Sequence, residues 1–267
     1  MSLRVFRRNW ARGARRRHAN VDAFLVSIPK SGRTWLRFSL RHHLCSLAGI
    51  PFSIDRADDE PDHLPFLACS HDLWEHLTAP RLRDRVRGKY LIPPGRRRAA
   101  RIVLVVRDLR DVMVSLHLQL TRRSFRSGAR FDGSLSELIA DPRFGAARCV
   151  DILNLWLDEW RDTGRCLVWS YEEARKDPSA SLRAVLVHLG LPNPDAGLIE
   201  ESVEFASFEN MRNMERENRF DRRLLKPGDP SDPESFKVRR GQVGGWVDYL
   251  SPEDARRVEA ASRRLRL

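Results

Sequence analysis

The stretch Ser27-Ile28-Pro29-Lys30-Ser31-Gly32-Arg33-Thr34-Trp35 directly follows the apolar run Ala23 to Val26. An apolar strand, a hydroxyl-rich turn with a glycine and then the amphipathic segment Trp35 to Leu47 predict a strand, a loop and a helix. Backbone NH groups and the helix N-terminus can hold a phosphate in such a loop. Lys30 is conspicuous because the chain has five lysines against 43 arginines. The loop is not a Walker A loop, because Lys30 precedes the glycine instead of following it.

Short apolar strands alternate with helical segments along the chain. The predicted strands are residues 23–27, 66–70, 101–106 and 166–170, and the predicted helices are 34–47, 111–120, 146–162 and 178–190. This alternation is typical of a parallel sheet covered by helices on both faces. Lys30 and Arg107 each follow a predicted strand, and an open α/β sheet binds its ligand at the carboxyl ends of its strands. The sequence therefore predicts one α/β domain with a site at this edge of the sheet.

The charge of the chain is concentrated at its beginning. The 267 residues carry a net charge of +12, and seven arginines lie in the first seventeen residues, with no acidic residue before Asp22. No Gly/Ser/Pro-rich linker divides the rest. We therefore predict a basic arm over residues 1–21 and one folded domain over residues 22–267. The arm is expected to be solvated, with at most weak contact with a membrane surface and no specific nucleic-acid partner.

Other sequence signals indicate a cytoplasmic protein. No apolar segment and cleavage site follow the basic arm, so no secretory signal is predicted. No stretch approaches the roughly 18 apolar residues that a membrane span needs. The four cysteines, Cys45, Cys69, Cys149 and Cys166, lack Cys-x-x-Cys spacing. They are therefore expected to be thiols in a reducing compartment instead of disulfides or zinc ligands.

Several segments together resemble the motifs of the soluble sulfotransferases. These enzymes transfer a sulfonate group from 3'-phosphoadenosine 5'-phosphosulfate to an acceptor. The similar segments are the loop around Lys30, Arg107 followed eight residues later by Ser115, Tyr171-Glu172-Glu173, residues 207–211, and Arg239-Arg240-Gly241 with Gly244, Gly245 and Trp246. They occur in the family's order over roughly residues 22–250. The resemblance implies a P-loop-kinase-like sulfotransferase fold.

The resemblance also implies roles for individual residues. Lys30 would stabilise the leaving phosphate, while Ser31, Gly32 and Thr34 cradle it. Arg33 stands where the family more often has threonine, and its guanidinium is expected to pair with phosphate oxygens. The 3'-phosphate is expected to contact Arg107, Ser115, Arg239, Arg240 and Gly241. The adenine is expected to stack on Trp35 and Phe208, with Tyr171 at its edge.

His71 is the predicted general base. It follows a predicted strand and matches the family's base position, and imidazole is the usual base at neutral pH. His117, on the helix after Arg107, is a second candidate. The family often has lysine two residues before its base, where this chain has Cys69. No metal is predicted, because the histidines lack metal-ligand spacing and a sulfonate needs no metal clamp.

The acceptor is predicted only as a class. The loops that would surround it, residues 72–76, 122–144 and 214–236, are polar and rich in arginine. A pocket for flat phenols or steroids would be mostly apolar. We therefore expect a small molecule or glycan that is hydrophilic or anionic. Residues 214–236 are also predicted to form a mobile lid.

Three other functions are compatible with parts of the sequence. A nucleotide-dependent kinase would share the strand, loop and helix, but it should have a Walker lysine and a Mg²⁺-binding acid. A nucleic-acid-binding protein would explain the charge, but it predicts neither the Lys30 loop nor the pair Arg107 and Ser115. A family member that binds nucleotide without transferring sulfonate shares every motif.

Overall fold

Four parallel strands form the central sheet: β1 Ala23–Ser27, β2 Leu67–Ser70, β3 Arg101–Val106 and β4 Cys166–Ser170. Their order is β2-β1-β3-β4. The computed structural model describes residues 18, 20–56, 60–123, 128–220, 225 and 229–267. The strand bounds differ from the predicted ones by at most one residue. The predicted α/β fold with a central parallel sheet is confirmed.

Both faces of the sheet are buried. Phe24 and Val26 of β1 belong to one core cluster, and Ala23 and Leu25 belong to the other. This alternation follows from the period of two residues in a strand. Because each face of the sheet is covered, its central strands are apolar throughout and polar side chains are left to the strand ends.

Twelve α-helices surround the sheet in the part of the chain that the structure describes. They are α1 Arg33–Leu47, α2 Asp72–Thr78, α3 Leu82–Val86, α4 Pro94–Ala99, α5 Leu109–Arg122, α6 Leu135–Ala140, α7 Ala146–Trp160, α8 Tyr171–Lys176, α9 Pro178–His188, α10 Ala196–Phe205, α11 Phe208–Arg216 and α12 Pro252–Ser262. Helices α5, α7 and α12 pack with one face of the sheet, and α1, α9 and α10 pack with the other. None of these described helices is long and apolar enough to cross a membrane.

The four predicted helices exist, with small differences at their ends. Helix α5 begins two residues earlier than predicted, because Asp108 caps it by accepting a hydrogen bond from Arg110 N. Helix α7 ends at Trp160 and continues as a 3-10 turn over Arg161–Thr163. Helix α9 ends at His188, and Gly190 follows with a left-handed φ of 99°. All four cysteines are free.

Four predicted segments either differ from the prediction or lie partly outside the described residues. The expected acceptor loop at residues 72–76 is wrong, because these residues lie in helix α2. Its buried first residue and the apolar side chains Leu73, Trp74 and Leu77 pack as a helix against the core. Most of the arm, residues 1–17 and 19, lies outside the described residues, as do residues 124–127, 221–224 and 226–228 of the other predicted loops and lid.

A buried carboxylate holds α2 at the end of β2. Asp72 has no exposed surface. Its Oδ1 accepts a hydrogen bond from Ile92 N at 2.8 Å, and its Oδ2 accepts one from Trp156 Nε1 at 3.0 Å and pairs with Arg97. The same arginine also pairs with Glu159, whose side chain is 39% exposed. Asp72 thereby joins three segments of the chain directly beside His71.

Replacing Asp72 by Ala should destabilise the fold by about 3–5 kcal/mol, because it leaves two buried NH donors without an acceptor and removes the buried partner of the half-buried Arg97 guanidinium. Replacing Glu159 by Ala removes the exposed partner of the same arginine and should cost less than about 1 kcal/mol. Equilibrium unfolding in denaturant measures both values. Equal costs for the two variants would contradict the account of Asp72.

Candidate active site

The loop from β1 to α1 has an uncommon backbone. Lys30 has φ 76° and Gly32 has φ 94°, so both residues are left-handed. Gly32 also lies against an aromatic ring, because a Cβ atom there would come within 2.4 Å of Tyr171 Cδ2. No side chain caps the start of α1, and its first turn contains no acidic residue. The uncapped NH groups and the positive end of the helix dipole suit an anion.

Lys30 is a half-buried cation at the centre of this loop. Burial lowers its pKa well below the usual value, and the nearby cations Lys237 and Arg123 lower it further. Glu215 opposes these effects, but no carboxylate of the described residues forms an ion pair with Lys30. A left-handed lysine without a carboxylate partner is a strained and desolvated charge. Such a charge is typical of a position that acts on a bound anion.

Arg107 lies at the carboxyl end of β3 and points towards the same loop. Its guanidinium stacks over the Tyr171 ring at 4.3 Å and donates hydrogen bonds to Lys30 O at 3.4 Å and Gln242 O at 2.9 Å. It also pairs with Asp111 at 3.1 Å. Its Nε is buried without a partner among the described residues. A buried donor of this kind indicates a missing acceptor.

Asp111 joins α5 to the C-terminal segment. Its carboxylate accepts hydrogen bonds from Gly244 N and Trp246 N, both at 3.0 Å, as well as from Arg107. Ser115 lies one helical turn further along α5 and lines the same cavity. The sequence analysis did not single out Asp111. Asp111 lies four residues after Arg107 and four before Ser115, and this helical spacing could have indicated that it lies on the same side of α5 as the site.

The C-terminal residues Arg239, Arg240 and Gly241 reach the cavity. Arg239 pairs with Glu234 and donates to the Tyr249 hydroxyl, while Arg240 pairs with Asp248. Gly241 has φ 62°, and a Cβ atom there would meet the Phe208 ring at 2.4 Å. Glycine is therefore required by both its conformation and this close contact.

Three aromatic side chains line the part of the cavity between these segments. Trp35 contacts Tyr171 edge-on at 5.5 Å between ring centroids. Tyr171 lies between Gly32 and the Arg107 guanidinium, and Phe208 lies against Gly241. All three line the cavity, as a flat ligand would require.

His71 is held in one orientation at the end of β2. Its Nδ1 lies 2.8 Å from Ser27 O, and its Nε2 lies 2.9 Å from an Arg33 guanidinium nitrogen. Because arginine only donates hydrogen bonds, Nε2 is the acceptor and Nδ1 carries the proton. Burial lowers the pKa of His71 well below its usual value, and Arg33 lowers it further. His71 is therefore neutral, with its basic nitrogen covered by Arg33.

Arg33 is placed differently from the sequence expectation. Its side chain was expected near phosphate oxygens, but it donates to Ser70 O as well as contacting His71. Both acceptors lie at the carboxyl end of β2, so the guanidinium is directed towards this strand end. Ser31 also differs, because its buried hydroxyl donates to Ile28 O at 3.1 Å and does not line the cavity.

Sequence reasoning missed a second lysine in the cavity. Lys237 N and Val238 N donate hydrogen bonds to the buried carboxylate of Glu215 at 2.7 and 2.8 Å. Glu215 also pairs with Arg123 at 3.3 Å. Burial, Arg123 and Arg33 lower the pKa of Lys237 to about 7. The rarity of lysine in this chain was a signal that could have drawn attention to it.

These elements enclose one cavity of about 1190 Å³. It is larger than a typical small-molecule pocket of about 300–1000 Å³ and has room for two ligands side by side. Of the site residues predicted from the sequence, all except Ser31 and the second base candidate, His117, line it. The Nε2 of His117 instead contacts Gly133 O at 2.9 Å. No group of His, Cys, Asp and Glu side chains suited to a metal ion occurs among the described residues.

Comparison with known proteins places this arrangement in a family. The chain is 24% identical to cytosolic sulfotransferase 8 of Arabidopsis thaliana, over 90% of this chain and 75% of that protein. It is also 24% identical to flavonol 3-sulfotransferase of Flaveria bidentis, over 91% of this chain and 80% of that protein.

Solved structures show the same fold. Mouse sulfotransferase SULT7A1, complexed with PAP, has a TM-score of 0.62 at 20% identity and covers 97% of this chain and 90% of that chain. Retinol dehydratase, in complex with androsterone and the inactive cofactor PAP, has a TM-score of 0.60 at 16% identity, with 97% and 87% covered. The family model of the sulfotransferase domain matches residues 20–265, which include every strand and the whole cavity lining. The chain therefore belongs to the sulfotransferase family.

Proposed function

We propose that this protein transfers a sulfonate group from 3'-phosphoadenosine 5'-phosphosulfate to a hydroxyl or amine of an acceptor. The observation that carries this proposal is Lys30, a desolvated cation on a left-handed loop at an uncapped helix start. The solved structures of similar proteins contain PAP, which supports a 3'-phosphorylated adenine nucleotide as the donor. The size of the cavity suits a nucleotide and an acceptor together.

The two phosphates of the donor would lie on different elements. The loop NH groups from Gly32 to Thr34 would hold the 5'-phosphate beside Lys30. Arg107, with its unpartnered Nε, and Ser115 would hold the 3'-phosphate, together with Arg239, Arg240 and Gly241. Trp35, Tyr171 and Phe208 would surround the adenine. The ion pairs of Arg239 and Arg240 with Glu234 and Asp248 compete with a phosphate, so this part of the site would rearrange on binding.

The transfer itself is an in-line displacement. The acceptor oxygen or nitrogen forms a bond to sulfur while the bond from sulfur to the 5'-phosphate oxygen breaks, and that oxygen leaves with the electron pair. Negative charge develops on the leaving phosphate, and the Lys30 ammonium stabilises it. No metal ion is needed in this scheme, since Lys30 and the loop NH groups supply the positive charge.

His71 would take the proton of the acceptor. Its Nδ1 is fixed by Ser27 O, which leaves Nε2 as the base. Arg33 covers Nε2, so its guanidinium must move aside before proton transfer. The neutral state of His71 is the competent one, and the lowered pKa keeps it neutral.

The acceptor is proposed to be a small molecule or glycan with hydrophilic or anionic character, and the protein is proposed to act in the cytoplasm. The names of its relatives include cytosolic sulfotransferases and a flavonol sulfotransferase, which supports a small-molecule acceptor. The charged lining of the cavity supports the hydrophilic character.

One observation favours a second candidate function. The contact of Arg33 with His71 Nε2 covers the proposed base. A family member that binds the nucleotide without transferring sulfonate could keep this contact permanently. A transfer assay separates the two functions.

Transfer of labelled sulfonate to a panel of phenol, sugar and amine acceptors tests the proposal. Replacing Lys30 by Ala should lower turnover by at least about 100-fold, because the charge on the leaving phosphate is no longer stabilised. Replacing His71 by Ala should lower turnover by about 10²- to 10⁴-fold and leave nucleotide binding unchanged. Turnover and nucleotide affinity are measured for each variant.

Lys176→Ala is the matched control, because Lys176 is exposed, pairs with Glu173 and lies outside the cavity. It should have the turnover of the original protein. Unchanged turnover in the Lys30 variant would refute the mechanism. Nucleotide binding without transfer to any acceptor of the panel would favour the second candidate.

Nucleotide binding should be accompanied by proton uptake at pH 9. A lysine with the usual pKa of 10.5 is protonated at this pH with or without a ligand. Burial, Lys237, Arg123 and Arg107 lower the pKa of Lys30, with Glu215 opposing them, so Lys30 loses its proton more readily in the free protein than an ordinary lysine does. A bound phosphate raises this pKa again, and Lys30 takes up a proton. Affinity should therefore fall as the pH rises.

Calorimetric titration with 3'-phosphoadenosine 5'-phosphate at pH 9, in two buffers with different ionisation enthalpies, measures this uptake. The observed enthalpies should differ in the direction of uptake. Identical enthalpies in the two buffers would mean that no group near the phosphate changes its protonation.

A further inference from the structure

Arg33 and Lys237 are basic side chains of the cavity that, like Lys30, form no ion pair with a carboxylate of the described residues. The half-buried arginines Arg37, Arg107, Arg123 and Arg239 each pair with a carboxylate. Among the described residues, Arg33 donates hydrogen bonds only to neutral acceptors, Ser70 O and His71 Nε2. No hydrogen bond or ion pair joins the Lys237 ammonium to any described residue, although Glu215 lies within electrostatic range. Arg33 and Lys237 thus have no paired counter-charge among the described residues.

Both cations lie beside the proposed base. Arg33 contacts His71 directly, and Lys237 lies within electrostatic range of both Arg33 and His71. Neither side chain forms an ion pair with a described residue, so neither joins elements of the fold in that way. Of the nearby carboxylates, Asp55 pairs with Arg37 and Glu215 pairs with Arg123, while Glu75 acts electrostatically on Arg33.

Arg33 and the protonated form of Lys237 repel each other, and an anion between them would relieve that repulsion. The lowered pKa of Lys237 means that burial and the neighbouring arginines make its protonated form less favourable than that of an ordinary lysine. Buried charges are normally paired, so a pair of unmatched cations in a cavity indicates a ligand of opposite charge.

On the basis of the proposed function, we propose that Arg33 and Lys237 form a subsite for a carboxylate or sulfate group of the acceptor. The acceptor is then a hydroxyl compound that already carries an anionic substituent. The proposed function assigns the nucleotide's charges to Lys30, Arg107 and the C-terminal arginines, so we assign this subsite to the second ligand.

This subsite also links acceptor choice to the chemistry. When an acceptor anion pairs with the Arg33 guanidinium, Arg33 gives up its hydrogen bond to His71 Nε2 and forms a stronger, charge-assisted hydrogen bond to the anion. Nε2 is then uncovered for the acceptor hydroxyl. A neutral acceptor offers no such exchange and leaves Arg33 on the base.

Binding of two matched phenols tests the proposal. The acid 4-hydroxyphenylacetate and its neutral amide, 4-hydroxyphenylacetamide, differ only in the carboxylate. Each is titrated calorimetrically into the protein with and without saturating 3'-phosphoadenosine 5'-phosphate. The acid should bind at least 10-fold more tightly than the amide under both conditions. Replacing Lys237 by Gln or Arg33 by Gln should reduce the preference to about twofold or less.

Lys176→Gln is the control, because it removes one lysine charge from the exposed surface and should leave the preference unchanged. Equal affinity for the two phenols, or no measurable binding of the acid, would overturn the subsite. Loss of nucleotide affinity in the Lys237 variant with an unchanged preference would assign Lys237 to the nucleotide and also overturn it.

The same titrations distinguish this proposal from the proposed function. Failure of 3'-phosphoadenosine 5'-phosphate to bind would refute the donor site, while a preference for the acid in the nucleotide-free protein would still support the anion subsite. Nucleotide binding without a preference for the acid would leave the donor site intact and refute only the subsite.

Discussion

The contact between Gly32 and the Tyr171 ring sets the geometry on which the rest of the cavity depends. The turn from β1 into α1 can approach this ring only without a side chain and with a left-handed backbone. The same turn fixes Lys30, starts α1 without a capping side chain and brings the Arg107 guanidinium onto the other side of Tyr171. The strand ends, the loop of Lys30 and the aromatic side chains that line the cavity are thereby fixed relative to one another by one packed ring.

The strands and the cavity's main residues could be predicted from the sequence because their signals are local. Each strand is a short apolar run bounded by polar residues, and the loop of Lys30 carries its residue types in consecutive positions. Arg33 and Lys237 could not be placed in the same way. Arg33 is directed by acceptors 37 and 38 residues away, and Lys237 is held by a carboxylate 22 residues before it. Short polar helices such as α3 were missed because they have little apolar periodicity.

The charges in the cavity fall into two groups with different consequences. Arg107, Arg239 and Arg240 are balanced by carboxylates, so they can be desolvated at modest cost and can exchange partners with a phosphate. Lys30, Arg33 and Lys237 are not balanced in this way. Their uncompensated charge, not the high net charge of the chain, is the electrostatic feature that points to ligands. Much of the net charge belongs to the arginines of the first seventeen residues.

The central claim is that the Lys30 loop and Arg107 form a site for a 3'-phosphorylated adenine nucleotide. Calorimetric titration with 3'-phosphoadenosine 5'-phosphate and with ATP, each with and without Mg²⁺, tests it most directly. The account predicts tight binding of the 3'-phosphorylated nucleotide that does not depend on Mg²⁺, and little binding of ATP. Mg²⁺-dependent preference for ATP, or no binding of either nucleotide, would contradict it.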